Sequence, residues 1–265
     1  MLPKKSILIC STGRSGSTML CSLLSRTNHL GYPYEFFHSQ RLARANVDFT
    51  AEGIHDYLAE LFKSTLSQNG IFSIKLHWDQ MRALIKQVRM DEPWQDKSDL
   101  DILKQLFPNP VFLFIRRRSL TRQAISMEVA KQTGKYVRWQ KKDGQEDETY
   151  LSQRMMFRPL NIYRYKQGLA ARNLLWQSFF EKHDLDFFEV VYEQLISDYE
   201  GTMNDLIDFV DINADDETFE FSPLTKKQGN KLNERWFNYY NFIPESVLAT
   251  YSLLRAQARK MIASS

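Results

Sequence analysis

The sequence predicts an α/β fold: a single domain over residues 1–265, with a central, mostly parallel sheet flanked by helices. Three observations lead there. Short, unbroken apolar runs alternate with amphipathic stretches of helical period, the pattern of strands covered by helices on both faces. The first of these runs ends in a Gly/Ser-rich turn that opens directly into a helical stripe. Glycine and proline are scarce, at 10 and 8 of 265 residues, which excludes a turn-rich all-β chain.

Taken in order, Ser6–Thr12 reads as a short buried strand and Ser17–Arg26 as a helix with Met19, Leu20, Leu23 and Leu24 on one stripe. Ala51–Gln68 is a second helix, whose inner face carries Ile54, Tyr57, Leu58, Leu61 and Phe62. Ile71–Leu76 is a strand, Met81–Met90 a helix, Asp91–Asp99 a polar loop, and Val111–Ile115 a fully apolar strand. Leu120–Gln132 is helical, and Lys135–Thr149 is charged and irregular, a candidate mobile loop. Tyr150–His183 reads as mostly helical with a break near Pro159; Asp186–Val191 is a strand, and Thr202–Val210 and Glu245–Met261 are helices.

Composition narrows the function classes. Hydrophobic residues make up 43% and charged residues 25%, ordinary globular usage that excludes a disordered or collagenous chain. With 35 Lys and Arg against 32 Asp and Glu, the net charge of +3 announces no nucleic-acid or membrane partner, so any anion site must be local. Two cysteines, Cys10 and Cys21, do not make a disulfide framework and point to a reducing compartment. No window approaches 18 apolar residues, so a cytoplasmic protein without a transmembrane segment is expected. The five histidines and two cysteines show no ligand spacing, and no metal is expected.

The most informative segment is Cys10-Ser11-Thr12-Gly13-Arg14-Ser15-Gly16-Ser17-Thr18. Gly13 and Gly16 let the backbone turn sharply and approach a ligand closely. Ser15 to Thr18 present N–H groups at a helix N-terminus, where the helix dipole favours an anion. Arg14 adds a full charge, and Ser17 and Thr18 add hydroxyls. These are the parts of a phosphate cradle, although Gly16 is followed by Ser17 rather than by the Lys of a Walker A loop.

Two further features suit an anionic ligand. Arg116-Arg117-Arg118 closes a buried strand, and Ser126 lies further along the next helix. Ligands of open parallel sheets sit beyond the carboxyl ends of the strands, where an Arg and a Ser can bind a phosphate by charge-assisted hydrogen bonds. Lys226-Lys227-Gln228-Gly229 is a second basic turn. A candidate base is Glu35, set among aromatics in Gly31-Tyr32-Pro33-Tyr34-Glu35-Phe36-Phe37, where partial burial is expected to raise its pKa. Lys75, at the end of a strand and followed by His77 and Trp78, is placed to reach a transferred group or the acceptor.

The blocks TGRSGSTML, GYPYEFF and FSIKLHW, with RRSLTRQAIS, KQTG and KQG followed by Trp236, run in order through most of the chain. Together they resemble the bacterial carbohydrate sulfotransferases of the trehalose 2-sulfotransferase type. The resemblance implies a P-loop-NTPase-like sulfotransferase fold and 3′-phosphoadenosine 5′-phosphosulfate (PAPS) as co-substrate. It implies that Gly13, Arg14, Ser15, Gly16, Ser17 and Thr18 grip the 5′-phosphosulfate. Arg117, Ser126, Lys227 and Gly229 would serve the 3′-phosphate. Glu35 would be the base that takes the proton of a sugar hydroxyl, with Arg14 and Lys75 beside it in the catalytic centre. A sugar, glycolipid or lipopolysaccharide-type acceptor and a homodimer are further implications. Met127-Glu128 stands where the trehalose-acting relatives tend to carry aromatics, so the acceptor stays open. Two other readings of the same loop are a P-loop-like small-molecule kinase and a non-catalytic module that binds adenosine 3′,5′-bisphosphate.

Overall fold

A computed structural model describes residues 2–136, 155–212, 221 and 231–263. In chain order the elements are β1 (Lys5–Ser11), α1 (Ser17–Arg26), α2 (Ser39–Ala45), α3 (Ala51–Thr65), β2 (Ile71–His77) and α4 (Trp78–Val88). A single 3-10 turn (Glu92–Trp94) follows, then α5 (Asp99–Leu106), β3 (Pro110–Arg116), α6 (Leu120–Thr133), α7 (Pro159–Lys182) and β4 (Phe187–Val191). The last helices are α8 (Tyr192–Ser197), α9 (Tyr199–Val210), α10 (Lys231–Asn241) and α11 (Glu245–Ala263).

Among the described residues, four strands pair side by side in the order β2-β1-β3-β4, all parallel. Strand side chains alternate between faces, so each strand feeds two cores. Leu8 and Cys10 point with Phe72, Ile74, Leu76, Phe112 and Phe114 to one side, where α3, α4, α5 and the end of α7 supply Leu58, Leu84, Leu103, Trp176 and Phe180. Ile7 and Ile9 point with Leu113, Ile115 and Val190 to the other, under Leu20 and Leu24 of α1, Leu195 of α8 and Leu206 of α9. Burial on both faces is why these strands read as continuous apolar runs. Each fully buried side chain of this size contributes roughly 1.5–3 kcal/mol, and the stacked pair Phe72 and Phe107 (centroids 6.1 Å apart) anchors the first core.

The described residues group into two compact units. The first, residues 1–116 and 173–224, holds the sheet and its covering helices. The second, residues 117–172 and 225–265, is helical; Ala124, Ile125 and Val129 of α6 pack with Ile162, Leu169, Trp236, Tyr240 and Leu248. On its surface, Arg122 lies 4.0 Å over the Phe237 ring and pairs with Glu234. Buried Glu128 accepts hydrogen bonds from Gln132 (2.6 Å) and Asn161 (3.3 Å).

Several elements differ from the sequence reading. The segment read as a polar loop carries the 3-10 turn, which buries Trp94. It is followed by α5, a two-turn helix capped by Ser98 whose side chain accepts from the Asp101 N–H. The long helix begins at Pro159, after residues 155–158 in irregular backbone, because proline suits a first helical position and breaks an interior one. Helices α2, α8 and α10 were not anticipated. Of the candidate loop 135–149, all but Lys135 and Tyr136 lie outside the described residues, as do Lys227 and Gly229. No helix among the described residues is long and apolar enough to cross a membrane.

Candidate active site

The strand order places a topological switch point between β1 and β3: the chain leaves β1 for the neighbour on one side, then returns to the other. Crevices beyond the carboxyl ends of strands at such points are where open sheets bind ligands. The loop from Thr12 to Gly16 leaves β1 at that end. Within it, Arg14 (φ 65°) and Gly16 (φ 100°) both take left-handed backbone. Alternating conformations of this kind turn successive N–H groups to one side, a nest for an anion. Gly16 is required twice over: its φ disfavours any side chain, and an added Cβ would lie 2.2 Å from Tyr192 Cδ2.

Gly16 caps α1 and, having no side chain, gives the first turn no capping hydrogen bond. The N–H groups of Ser17 and Thr18 are therefore left for a ligand at the positive end of the helix dipole. The Ser15 hydroxyl is fully buried with no hydrogen-bond partner among the described residues. A buried unsatisfied hydroxyl is destabilising, and this one lies in the bend where an anion would supply the missing acceptor. The base of the loop is braced from α7: Trp176 Nε1 donates to the Ser11 carbonyl (3.1 Å), and Thr12 Oγ1 donates to Asn173 Oδ1 (3.4 Å).

The second part of the site begins with a backbone pairing. Tyr34 forms a parallel bridge with Ile74, and its carbonyl accepts from the Lys75 N–H at 3.1 Å. The chain can run this close to β2 because Gly31 precedes the pairing; a Cβ there would meet Ser73 N at 2.9 Å. Phe36 turns into the core and stacks on Phe72, and Glu35, between Tyr34 and Phe36, turns the other way. Its Oε1 lies 2.7 Å from Lys75 Nζ, and its Oε2 accepts from Gln80 Nε2 at 2.9 Å. Lys75 Nζ also donates to Thr18 Oγ1 at 3.2 Å. One buried ammonium thus joins the carboxylate to the first turn of α1.

His77 completes the group. Its Nε2 is 3.6 Å from Glu35 Oε1, and its Nδ1 is 2.9 Å from Ser11 Oγ. Gln80 holds the backbone there, since its Oε1 accepts from the His77 N–H at 3.0 Å. The expected rise of the Glu35 pKa is overturned. Burial pushes the carboxyl up, but the Lys75 charge, His77, and hydrogen bonds from Lys75 and Gln80 outweigh it, and the pKa falls from the ordinary 4.5 to about 2. Flanking aromatics pointed to an apolar pocket, whereas the ammonium comes from a strand forty residues on. Burial lowers the His77 pKa, against the raising effect of Glu35, which favours the neutral imidazole.

Thr18, Glu35 and Lys75 therefore meet in the first unit, which also holds Gly13 to Ser17 just before Thr18 in the chain. Arg117 and Ser126 belong to the second. Arg117 directly follows β3 and is half-buried, and Ser126 is buried on α6. Arg116, the first of the three arginines, pairs with Glu189 through Nε (2.6 Å) and Nη2 (2.8 Å), which leaves it a structural role. Gln80, Ser11, Asn173 and Tyr192 were not singled out from sequence. Gln80 stands three residues beyond His77, the spacing of a capping box, and was the one with a local signal. Among the described residues no group of three or more His, Cys, Asp or Glu is placed to hold a metal ion.

An anion nest beside a carboxylate and a buried ammonium suits transfer of an anionic group to a hydroxyl. Residues 6–242 match the Stf0 sulphotransferase family. The chain is also 24% identical over 259 residues to a trehalose 2-sulfotransferase of Mycobacterium tuberculosis (strain ATCC 35801 / TMC 107 / Erdman), an alignment covering 88% of this chain and 93% of that protein. With its sheet, its loop and nine-tenths of its length accounted for in this way, the chain belongs to the Stf0 sulphotransferase family.

Proposed function

We propose that the protein moves a sulfuryl group from PAPS to a hydroxyl of a carbohydrate or glycolipid acceptor, with Glu35 as general base. The observation that carries this reading is the single ammonium of Lys75 held between Glu35 and Thr18. It puts a proton acceptor and an anion cradle within one side chain of each other. The fit of the cradle rests on the unpartnered Ser15 hydroxyl and on the bend at Gly16 that admits no Cβ.

PAPS, when bound, supplies a sulfuryl group already activated on a phosphate oxygen. The N–H groups of Ser15 to Thr18 and the Arg14 charge hold that phosphosulfate and stabilise charge on the departing phosphate. Arg117 and Ser126 bind the 3′-phosphate, and the reading assigns Lys227 and Gly229 to the same group. Glu35 takes the proton of the acceptor hydroxyl as that oxygen attacks in line. Lys75 governs when it can do so: while paired, the carboxylate is a weak base, and an ammonium drawn towards the sulfuryl oxygens releases it. The reading includes a cytoplasmic homodimer that works by positioning and charge.

Incubation with radiolabelled PAPS and trehalose as probe acceptor tests the proposal. Labelled sugar sulfate is expected from wild type. Glu35→Gln is expected to lose roughly 10²–10⁴-fold in rate while still binding adenosine 3′,5′-bisphosphate. Full activity in that variant removes Glu35 as the base.

A further inference from the structure

We propose that Gln80 is a positioning residue for the reaction: its amide ties one oxygen of Glu35 to the start of α4, so that the carboxylate meets the acceptor hydroxyl in one orientation. The role rests on the reading of Glu35 as base and deepens it.

Gln80 is the third residue of α4 and is half-buried. It is anchored twice at the start of that helix. Its N–H donates to the His77 side chain, and its Oε1 accepts from the His77 N–H at 3.0 Å, the two halves of a capping box. A backbone N–H can only donate, so the amide atom facing it is the oxygen. The other end of the amide is then the NH2 group, and it lies 2.9 Å from Glu35 Oε2. An ordinary capping box uses the oxygen alone. Here the nitrogen reaches a carboxylate that belongs to a distant part of the chain.

The two oxygens of Glu35 therefore have different partners. Oε1 faces Lys75 Nζ at 2.7 Å, with His77 Nε2 further off at 3.6 Å. The ammonium is a point charge on a flexible stem. It is shared with Thr18 Oγ1 at 3.2 Å, and in the proposed reaction it leaves Oε1 for the sulfuryl oxygens. The Gln80 amide is fixed to its helix and does not follow. Oε2 stays held, and Oε1 is the oxygen opened to the acceptor. Misplacing a reacting group by about 1 Å can cost roughly 10²-fold in rate. The titratable groups around the carboxylate are Lys75 and His77 at the end of β2 and Cys21 on α1, with Asp79 acting on His77. Burial holds the Cys21 thiol up at about 11, so it stays neutral in the range where activity is measured.

Two variants of the full chain separate this role from capping. Gln80→Glu keeps an oxygen for the His77 N–H, since Glu serves a capping box as well as Gln does, but turns a second carboxyl towards Glu35. Gln80→Met removes both side-chain bonds and keeps the length. With radiolabelled PAPS and trehalose, Gln80→Met is expected to lose roughly 10- to 100-fold in kcat, with KM values within about two-fold of wild type. In Gln80→Glu the new carboxyl shares a proton with Glu35 at low pH and supplies an O–H donor in place of the amide; at higher pH two carboxylates face each other. Its kcat relative to wild type is expected to fall by roughly ten-fold or more from about pH 5 to about pH 8. 13C spectra of labelled glutamate carboxyls give a readout that needs no turnover. Glu35, at about 2 in wild type, should titrate roughly 0.5–1 pH unit higher in Gln80→Met. Wild-type kcat in Gln80→Glu at every pH, a loss that does not change with pH, or a Glu35 titration unmoved in Gln80→Met overturns the role. Labelled sugar sulfate absent from wild type counts against the proposed reaction instead, and full turnover in Glu35→Gln against the base; the carboxyl titration decides the Gln80 contact in either case.

Discussion

Replacing Lys75 by methionine removes the ammonium while keeping most of the side-chain volume. Burial pushes the Glu35 carboxyl up, and it reaches about 2 only because the Lys75 charge and hydrogen bond, with His77 and Gln80, outweigh that effect. An opposite charge at such range is worth roughly 1–3 pH units, so Lys75→Met returns Glu35 to the ordinary carboxylate range or above it. Each pH unit corresponds to about 1.4 kcal/mol. In wild type the folded pKa lies below the unfolded one, so the ionised carboxylate stabilises the fold at all pH values above about 4.5 and loses that contribution as pH falls towards 2. The stability gap between wild type and Lys75→Met should therefore be widest at neutral pH and narrow steadily below about pH 4.5. Urea unfolding across that range measures the gap, and 13C spectra of labelled glutamate carboxyls follow Glu35 directly. A carboxyl that still titrates near 2 without Lys75, or a gap independent of pH, refutes the electrostatic account of the pair.

Other outcomes follow from the loop and the strand ends. Gly16→Ala combines left-handed strain with a Cβ driven into the Tyr192 ring, and is expected to cost roughly 2–4 kcal/mol in equilibrium unfolding; the cost should fall when Tyr192 is leucine. Ser15→Ala removes a buried hydroxyl that has no partner, so the free protein should unfold no more easily, while affinity for adenosine 3′,5′-bisphosphate drops by about 0.5–1.5 kcal/mol in calorimetry. Arg117→Ala should weaken that nucleotide roughly 10- to 100-fold while leaving adenosine 5′-monophosphate nearly unaffected; an equal loss for both would remove the 3′-phosphate assignment.

Legibility in the sequence followed the physics of each element. Helix α1 is legible from end to end because Met19, Leu20, Leu23 and Leu24 make one stripe between a Gly turn and a basic last residue. The strands showed as apolar runs because the sheet is covered on both faces. Helix α5 was hidden because its cap, Ser98, looks like loop chemistry in a charged stretch. Helix α10 carries a stripe of Leu232, Trp236, Phe237 and Tyr240 at helical spacing that the sequence reading passed over, whereas α2 buries nothing and offers no such signal.

The site divides in the same manner. The anion loop is local, and its glycines and hydroxyls announce it. Glu35 could be picked out by its neighbours, yet its protonation was misjudged, because its partners arrive through the pairing of Tyr34 with Ile74 rather than through adjacent sequence. Asn173 and Trp176, which brace the loop from α7, have no signature near the residues they support.

The most direct measurement is isothermal titration of adenosine 3′,5′-bisphosphate into the folded protein and into Arg14→Ala. The account predicts saturable binding at one site per chain and a loss of at least about ten-fold in the variant, in keeping with a charge-assisted contact. Absence of heat with wild type, or equal affinity in both proteins, would contradict the assignment of the Thr12–Gly16 bend as the seat of the sulfuryl donor.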